Sequence, residues 1–96
     1  MVTDEHADHV RVTAWVRGDV QGVGFRWWTR AQALELGLVG WARNTQDGRV
    51  EIVAEGLDHG CEELVRRVES GTTPGHVDSV VVQWSAPKGL EGFVER

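Results

Sequence analysis

The sequence has no second cysteine, no histidine–cysteine cluster, no basic excess and no long apolar run, and each absence closes off a class of protein. Cys61 stands alone, so no internal disulfide can form and a reducing cytoplasm is the expected compartment. His6, His9, His59 and His76 are scattered without metal-ligand spacing, which assigns them to the surface rather than to coordination. Ten Lys and Arg against 15 Asp and Glu give a formal charge of −5. That balance argues against a partner held by diffuse attraction to nucleic acid or an anionic membrane. No stretch approaches membrane-spanning length, and Met1–His9 is polar and acidic without the apolar core of a targeting signal. At 96 residues, 41% of them hydrophobic, the chain has room for one domain with one modest core.

What is present is an ordered switching of hydrophobic period. Val10, Val12, Ala14 and Val16 alternate with Arg11, Thr13, Trp15 and Arg17, the pattern of a half-buried strand. Phe25 to Leu36 is rich in helix formers, with Phe25, Thr29, Ala33 and Leu36 on one face and Trp28 beside it. A second stripe of Trp27, Ala31 and Leu34 leaves the buried face open, and Gly37 ends the helix. Leu38–Thr45 and Arg49–Glu55 read as strands joined at Gln46-Asp47-Gly48. After Gly56, the residues Leu57, Cys61, Leu64, Val65 and Val68 share a helical face, and Thr72-Thr73-Pro74-Gly75 ends that element. A valine-rich strand spans His76–Ser85, and Phe93 with Val94 is expected to add a short edge strand.

The order strand, helix, strand, strand, helix, strand is that of a ferredoxin-like split β-α-β sandwich, an α+β fold with two helices on one face of an antiparallel sheet. Residues 1–9 then form a polar tail and residues 10–96 the domain.

Between the first strand and first helix lies Gly18-Asp19-Val20-Gln21-Gly22-Val23-Gly24-Phe25-Arg26. Glycines let successive backbone N–H groups converge on one point, and the helix start adds unpaired donors and a positive dipole end. Arg26 adds a planar fork of donors suited to two phosphate oxygens. A glycine-rich turn followed by a surface arginine is the plain alternative. No Gly-Lys-Ser/Thr ending and no dinucleotide fingerprint is present, so the anion expected is small. In this topology the first two strands run parallel with the third between them. Their C-terminal ends are then about 10 Å apart on one sheet edge, and Asn44, ending the second strand, can reach the ligand of Arg26.

Val16 to Arg26 resembles the first signature of the acylphosphatases. Gly40-Trp41-Ala42-Arg43-Asn44 followed by Gly48, Val50 and Gly56 resembles the second. The two together are highly specific, and the similarity continues through Pro87-Lys88-Gly89 to Gly92-Phe93. The resemblance implies hydrolysis of a carboxyl-phosphate anhydride to a carboxylate and inorganic phosphate, with no metal or cofactor. It implies that Arg26 holds the phosphate, that amides of Val20, Gln21, Gly22, Val23, Gly24 and Phe25 complete a cradle, and that Asn44 positions the attacking water. A small acyl phosphate is the partner expected, on a cytoplasmic monomer that binds neither nucleic acid nor membrane.

These assignments fit the chemistry, since phosphoryl transfer needs alignment and charge stabilisation more than a strong base. Two other classes remain: RNA-binding modules with aromatic sheet faces, which share the topology, and small-molecule regulatory or carbamoyl-phosphate-handling modules, since a fold and a phosphate loop do not by themselves establish turnover. Against the first, the Gly24-Phe25 segment opens a helix rather than occupying a central strand. Asp19 in the loop would repel phosphate unless its side chain faces water, where screening weakens the effect. Cys61 is expected in the core, and packing is expected for the tryptophans. Arg17, Arg30 and Arg43 are either local positive potential or ordinary solvated charges.

Overall fold

A computed structural model describes residues 9–96. Residues 1–8 of the expected tail, His6 among them, lie outside the described residues. Seven elements follow in chain order: β1 (His9–Asp19), α1 (Phe25–Glu35), β2 (Val39–Asn44), β3 (Val50–Leu57), α2 (Asp58–Glu69), β4 (His76–Ser85) and β5 (Phe93–Glu95). The sheet order is β4-β1-β3-β2-β5. Since β3 is antiparallel to both β1 and β2, the latter two run parallel with β3 between them, and their C-terminal ends share one edge.

The sheet is mixed, not purely antiparallel as expected, because β5 pairs parallel to β2. The cause lies in where β4 finishes. Antiparallel to β1, it ends at the edge where β1 and β2 begin, so residues 86–92 cross that edge and deliver β5 in the direction of β2. The expected edge strand at Phe93 and Val94 is present.

Alternation decides which face is buried. Val12, Ala14, Val16, Val50, Ile52 and Ala54 turn toward the helices and form the core with Phe25, Ala33, Cys61, Leu64 and Val68. On α1, Phe25, Thr29 and Ala33 are the buried stripe, while Trp27 is 63% exposed. The buried Thr29 hydroxyl is satisfied by donation to the Phe25 carbonyl at 2.9 Å, so a polar residue is tolerated there. Leu57 departs from its expected place on the second helix. It pairs with His9 as the last residue of β3, and the helix begins one residue later.

The opposite face carries Arg11, Trp15, Trp41 and Glu51. Trp41 lies beneath the guanidinium groups of Arg96 and Arg11, 4.4 and 5.4 Å from its ring centre, and its indole N–H donates to Glu51 Oε1 at 3.3 Å. Packing with a polar handle therefore accounts for Trp41.

Candidate active site at the sheet edge

The loop that follows β1 meets α1 without a side-chain cap. Gly24 occupies the N-cap in a left-handed conformation, φ 84°, and the first turn contains no acidic residue. The first intrahelical bond runs from Trp28 N to the Gly24 carbonyl at 3.0 Å, so the Phe25, Arg26 and Trp27 amides precede the helical ladder. Gly22 is also left-handed, φ 77°. At both glycines the space where a Cβ would stand is open, and the loop backbone stays accessible to a ligand. Val20 is buried and anchors the start of the loop, while Gly22 and Val23 are exposed.

Gln21 has a role that spacing did not reveal. Its side-chain Nε2 donates to the main-chain oxygens of Thr45 at 2.9 Å and Arg49 at 2.8 Å. These are the two ends of the turn that follows Asn44, itself exposed at the end of β2 and paired with Val50. The loop is thus fastened to the hairpin that carries Asn44. That turn is closed by Thr45 N donating to the Arg49 carbonyl at 2.9 Å. The Thr45 hydroxyl and the Arg49 side chain hold the Asp47 carboxyl down at about 2, so it is ionised at neutral pH.

Arg26 lies on the first turn of α1, and its Nη1 donates to the main-chain oxygen of Arg96. One turn on, Arg30 Nε donates to the Phe93 carbonyl at 3.0 Å. Both arginines grip the chain at β5, a partner no motif announces, because the contacts are to backbone and carry no residue signature. Arg43 is compensated by Glu51 at 2.5 Å, whereas Arg17 is exposed. Asp19 is exposed as well, the orientation in which water screens its charge from the cradle. Among the described residues no group of three or more His, Cys, Asp or Glu could hold a metal ion.

Two helices on one face of a β4-β1-β3-β2-β5 sheet make this a ferredoxin-like α+β domain, with the uncapped start of α1 following β1. A family model for acylphosphatase matches residues 12–94. A curated acylphosphatase of Saccharopolyspora erythraea is 63% identical, with full coverage of both chains. Among solved structures, an acylphosphatase from Coxiella burnetii superposes with a TM-score of 0.87 at 31% identity, covering 100% of each chain. The Bacillus subtilis acylphosphatase gives 0.85 at 35% identity, covering 91% of this chain and 98% of its own. The chain belongs to the acylphosphatase family.

Proposed function

We propose that Arg26 and the amides of the Val20–Phe25 loop hold the phosphate of a small acyl phosphate while Asn44 orients the water that attacks phosphorus. The carboxyl-phosphate bond breaks, the carboxylate leaves, and inorganic phosphate remains in the cradle. The observation that carries this reading is the Gln21 clamp, which fixes the loop against the hairpin bearing Asn44.

The donor set suits a transition state whose charge spreads over the equatorial oxygens. Arg26 supplies permanent charge and a fork of donors, and the helix start supplies a further positive pole. Asn44 offers an amide oxygen to a water proton but cannot remove it as a strong base, so that proton passes to a phosphate oxygen. A carboxylate is a good leaving group, and no general acid is required. Catalysis in this scheme uses neither metal nor cofactor, and it belongs to a monomeric cytoplasmic enzyme that engages no nucleic acid. No helix among the described residues is long and apolar enough to cross a membrane.

The test is release of inorganic phosphate from benzoyl phosphate in the presence of a chelator. Turnover well above the spontaneous rate is expected. Release no faster than without protein would sink the hydrolase reading, and restoration only by added metal would sink the mechanism.

A further inference from the structure

Glu55 is a buried carboxylate, 3% exposed, far along the sheet from the phosphate cradle. Its oxygens collect three consecutive backbone amides: Lys88 N at 2.9 Å, Gly89 N at 3.0 Å and Leu90 N at 3.1 Å. Arg11 Nη1 adds a fourth donor at 3.0 Å. Successive amides converging on one anion form a nest, here filled by the protein's own side chain. These amides belong to the segment that crosses the sheet edge between β4 and β5. Beyond it, Gly40 N donates to the Gly92 carbonyl at 2.8 Å, Phe93 is buried, and Arg96 N donates to the Ala42 carbonyl at 2.7 Å. The same Arg96 presents its main-chain oxygen to Arg26.

We infer that Glu55 is a positioning residue for the phosphate site: by fixing the 88–90 crossing it sets the placement of β5, and through the Arg96 oxygen it holds the Arg26 guanidinium ready for the anion. The inference rests on the proposed role of Arg26. Without the carboxylate, the crossing loses its anchor where the chain changes edge. The amide of a glutamine in its place would set its own N–H groups against backbone donors, leaving at least one amide unpaired. Arg26 then has to be ordered at the moment of binding rather than before it, which weakens phosphate by three- to tenfold, roughly the ordering cost of one long side chain.

The experiment measures inorganic phosphate affinity by NMR titration of the full chain, together with kcat and KM on benzoyl phosphate, at a temperature where circular dichroism shows each variant folded. E55Q is expected to weaken phosphate and raise KM three- to tenfold. R11Q, which removes the ion pair but keeps all three amide bonds, is expected to bind phosphate as the wild type does. A purely structural role would lower the melting temperature of E55Q and leave phosphate affinity and KM of the folded protein unchanged, and that result overturns the inference. Equal weakening by R11Q and E55Q also overturns it, since the crossing would then not be the cause. If E55Q does not fold, Leu90→Pro removes one of the three donors and carries the same expectation. R26A separates the two readings: unchanged phosphate affinity there refutes the role of Arg26, whereas weakened affinity in R26A with wild-type affinity in E55Q refutes the role of Glu55 alone.

Discussion

Gln21 and Thr45 are joined by a 2.9 Å hydrogen bond from the Gln21 side-chain amide to the Thr45 main-chain oxygen, and the same nitrogen reaches the Arg49 oxygen at 2.8 Å. One side chain thereby spans the halves of the proposed site. Gln21→Ala should release the loop from the hairpin and lower kcat/KM by about 10- to 100-fold, the scale of a misplacement near 1 Å. Gln21→Glu should be worse, because an ionised oxygen would face two carbonyl oxygens. Steady-state kinetics on benzoyl phosphate decide the matter. Wild-type kcat/KM in Gln21→Ala would mean that the loop keeps its place unaided.

Asn44 should show the opposite division between catalysis and structure. It is exposed at a strand end, so Asn44→Ala is expected to change stability by less than about 0.5 kcal/mol. Loss of a group that acts in the transition state should lower kcat by about 10²- to 10³-fold, with inhibition by phosphate largely preserved. Equal losses in turnover and phosphate affinity would reassign Asn44 from water to phosphate.

The route of the chain was legible wherever hydrophobic period carried it. Val12, Ala14 and Val16 pointed to a half-buried strand, and β4 occupies His76–Ser85 as its valines suggested. The parallel run of β1 and β2 on either side of β3 followed from strand order alone. Leu57 was misplaced because an apolar residue at a strand–helix junction satisfies both periods, and only its pairing with His9 assigns it. The parallel sense of β5 was hidden because it depends on the edge by which residues 86–92 return. The Gln21 clamp and the grip of Arg26 and Arg30 on β5 were invisible for a common reason: their acceptors are main-chain oxygens, which every residue carries.

Gly75 shows how closely the site's margins are packed. A Cβ there would stand 1.9 Å from the Asp19 carbonyl oxygen, and the residue has φ +75°. Gly75→Ala therefore combines a backbone clash with an unfavourable conformation and should cost more than about 2 kcal/mol. Asp19 ends the strand that leads into the cradle, so the variant is also expected to raise KM. Urea unfolding and steady-state kinetics measure the two effects separately, and a wild-type midpoint would show that the Gly75 segment can move aside.

The acid limb of stability should report Glu55. Burial raises its pKa, but the backbone amides of Lys88, Leu90 and Gly89, with Arg11, outweigh burial and leave it below the ordinary value of 4.5. A depressed folded-state pKa means that the stabilisation is complete above the unfolded value and disappears as pH falls through the folded one. Removing the carboxylate in E55Q should cost roughly 2–3 kcal/mol at pH 7, the scale for leaving buried donors without a charged partner. Below pH 4.5 that difference should shrink, because the wild type progressively loses the same charge. Thermal melts of both proteins from pH 7 to pH 3 give the test, and a constant gap would mean that ionised Glu55 is not what the crossing segment requires.

Cys61 should contribute to the alkaline limb. Burial pushes its thiol up to about 11, with the nearby carboxylates of Asp58, Glu55 and Glu62 adding to the rise from 9.0. Its Sγ–H points to the Ala54 carbonyl at 3.8 Å, inside the core. A thiol with so little thiolate, shut away from solvent, should react with an aromatic disulfide reagent only as fast as the protein unfolds. The linkage runs opposite to that of Glu55. Between pH 9 and 11 the unfolded chain gives up the thiol proton and the folded chain keeps it, so this contribution is whole below pH 9 and is lost as pH rises toward 11. Cys61→Ala should flatten that alkaline decline while lowering stability at pH 7 through the cavity it leaves. Rapid labelling of the native protein at pH 8 would place the thiol at the surface and contradict both expectations.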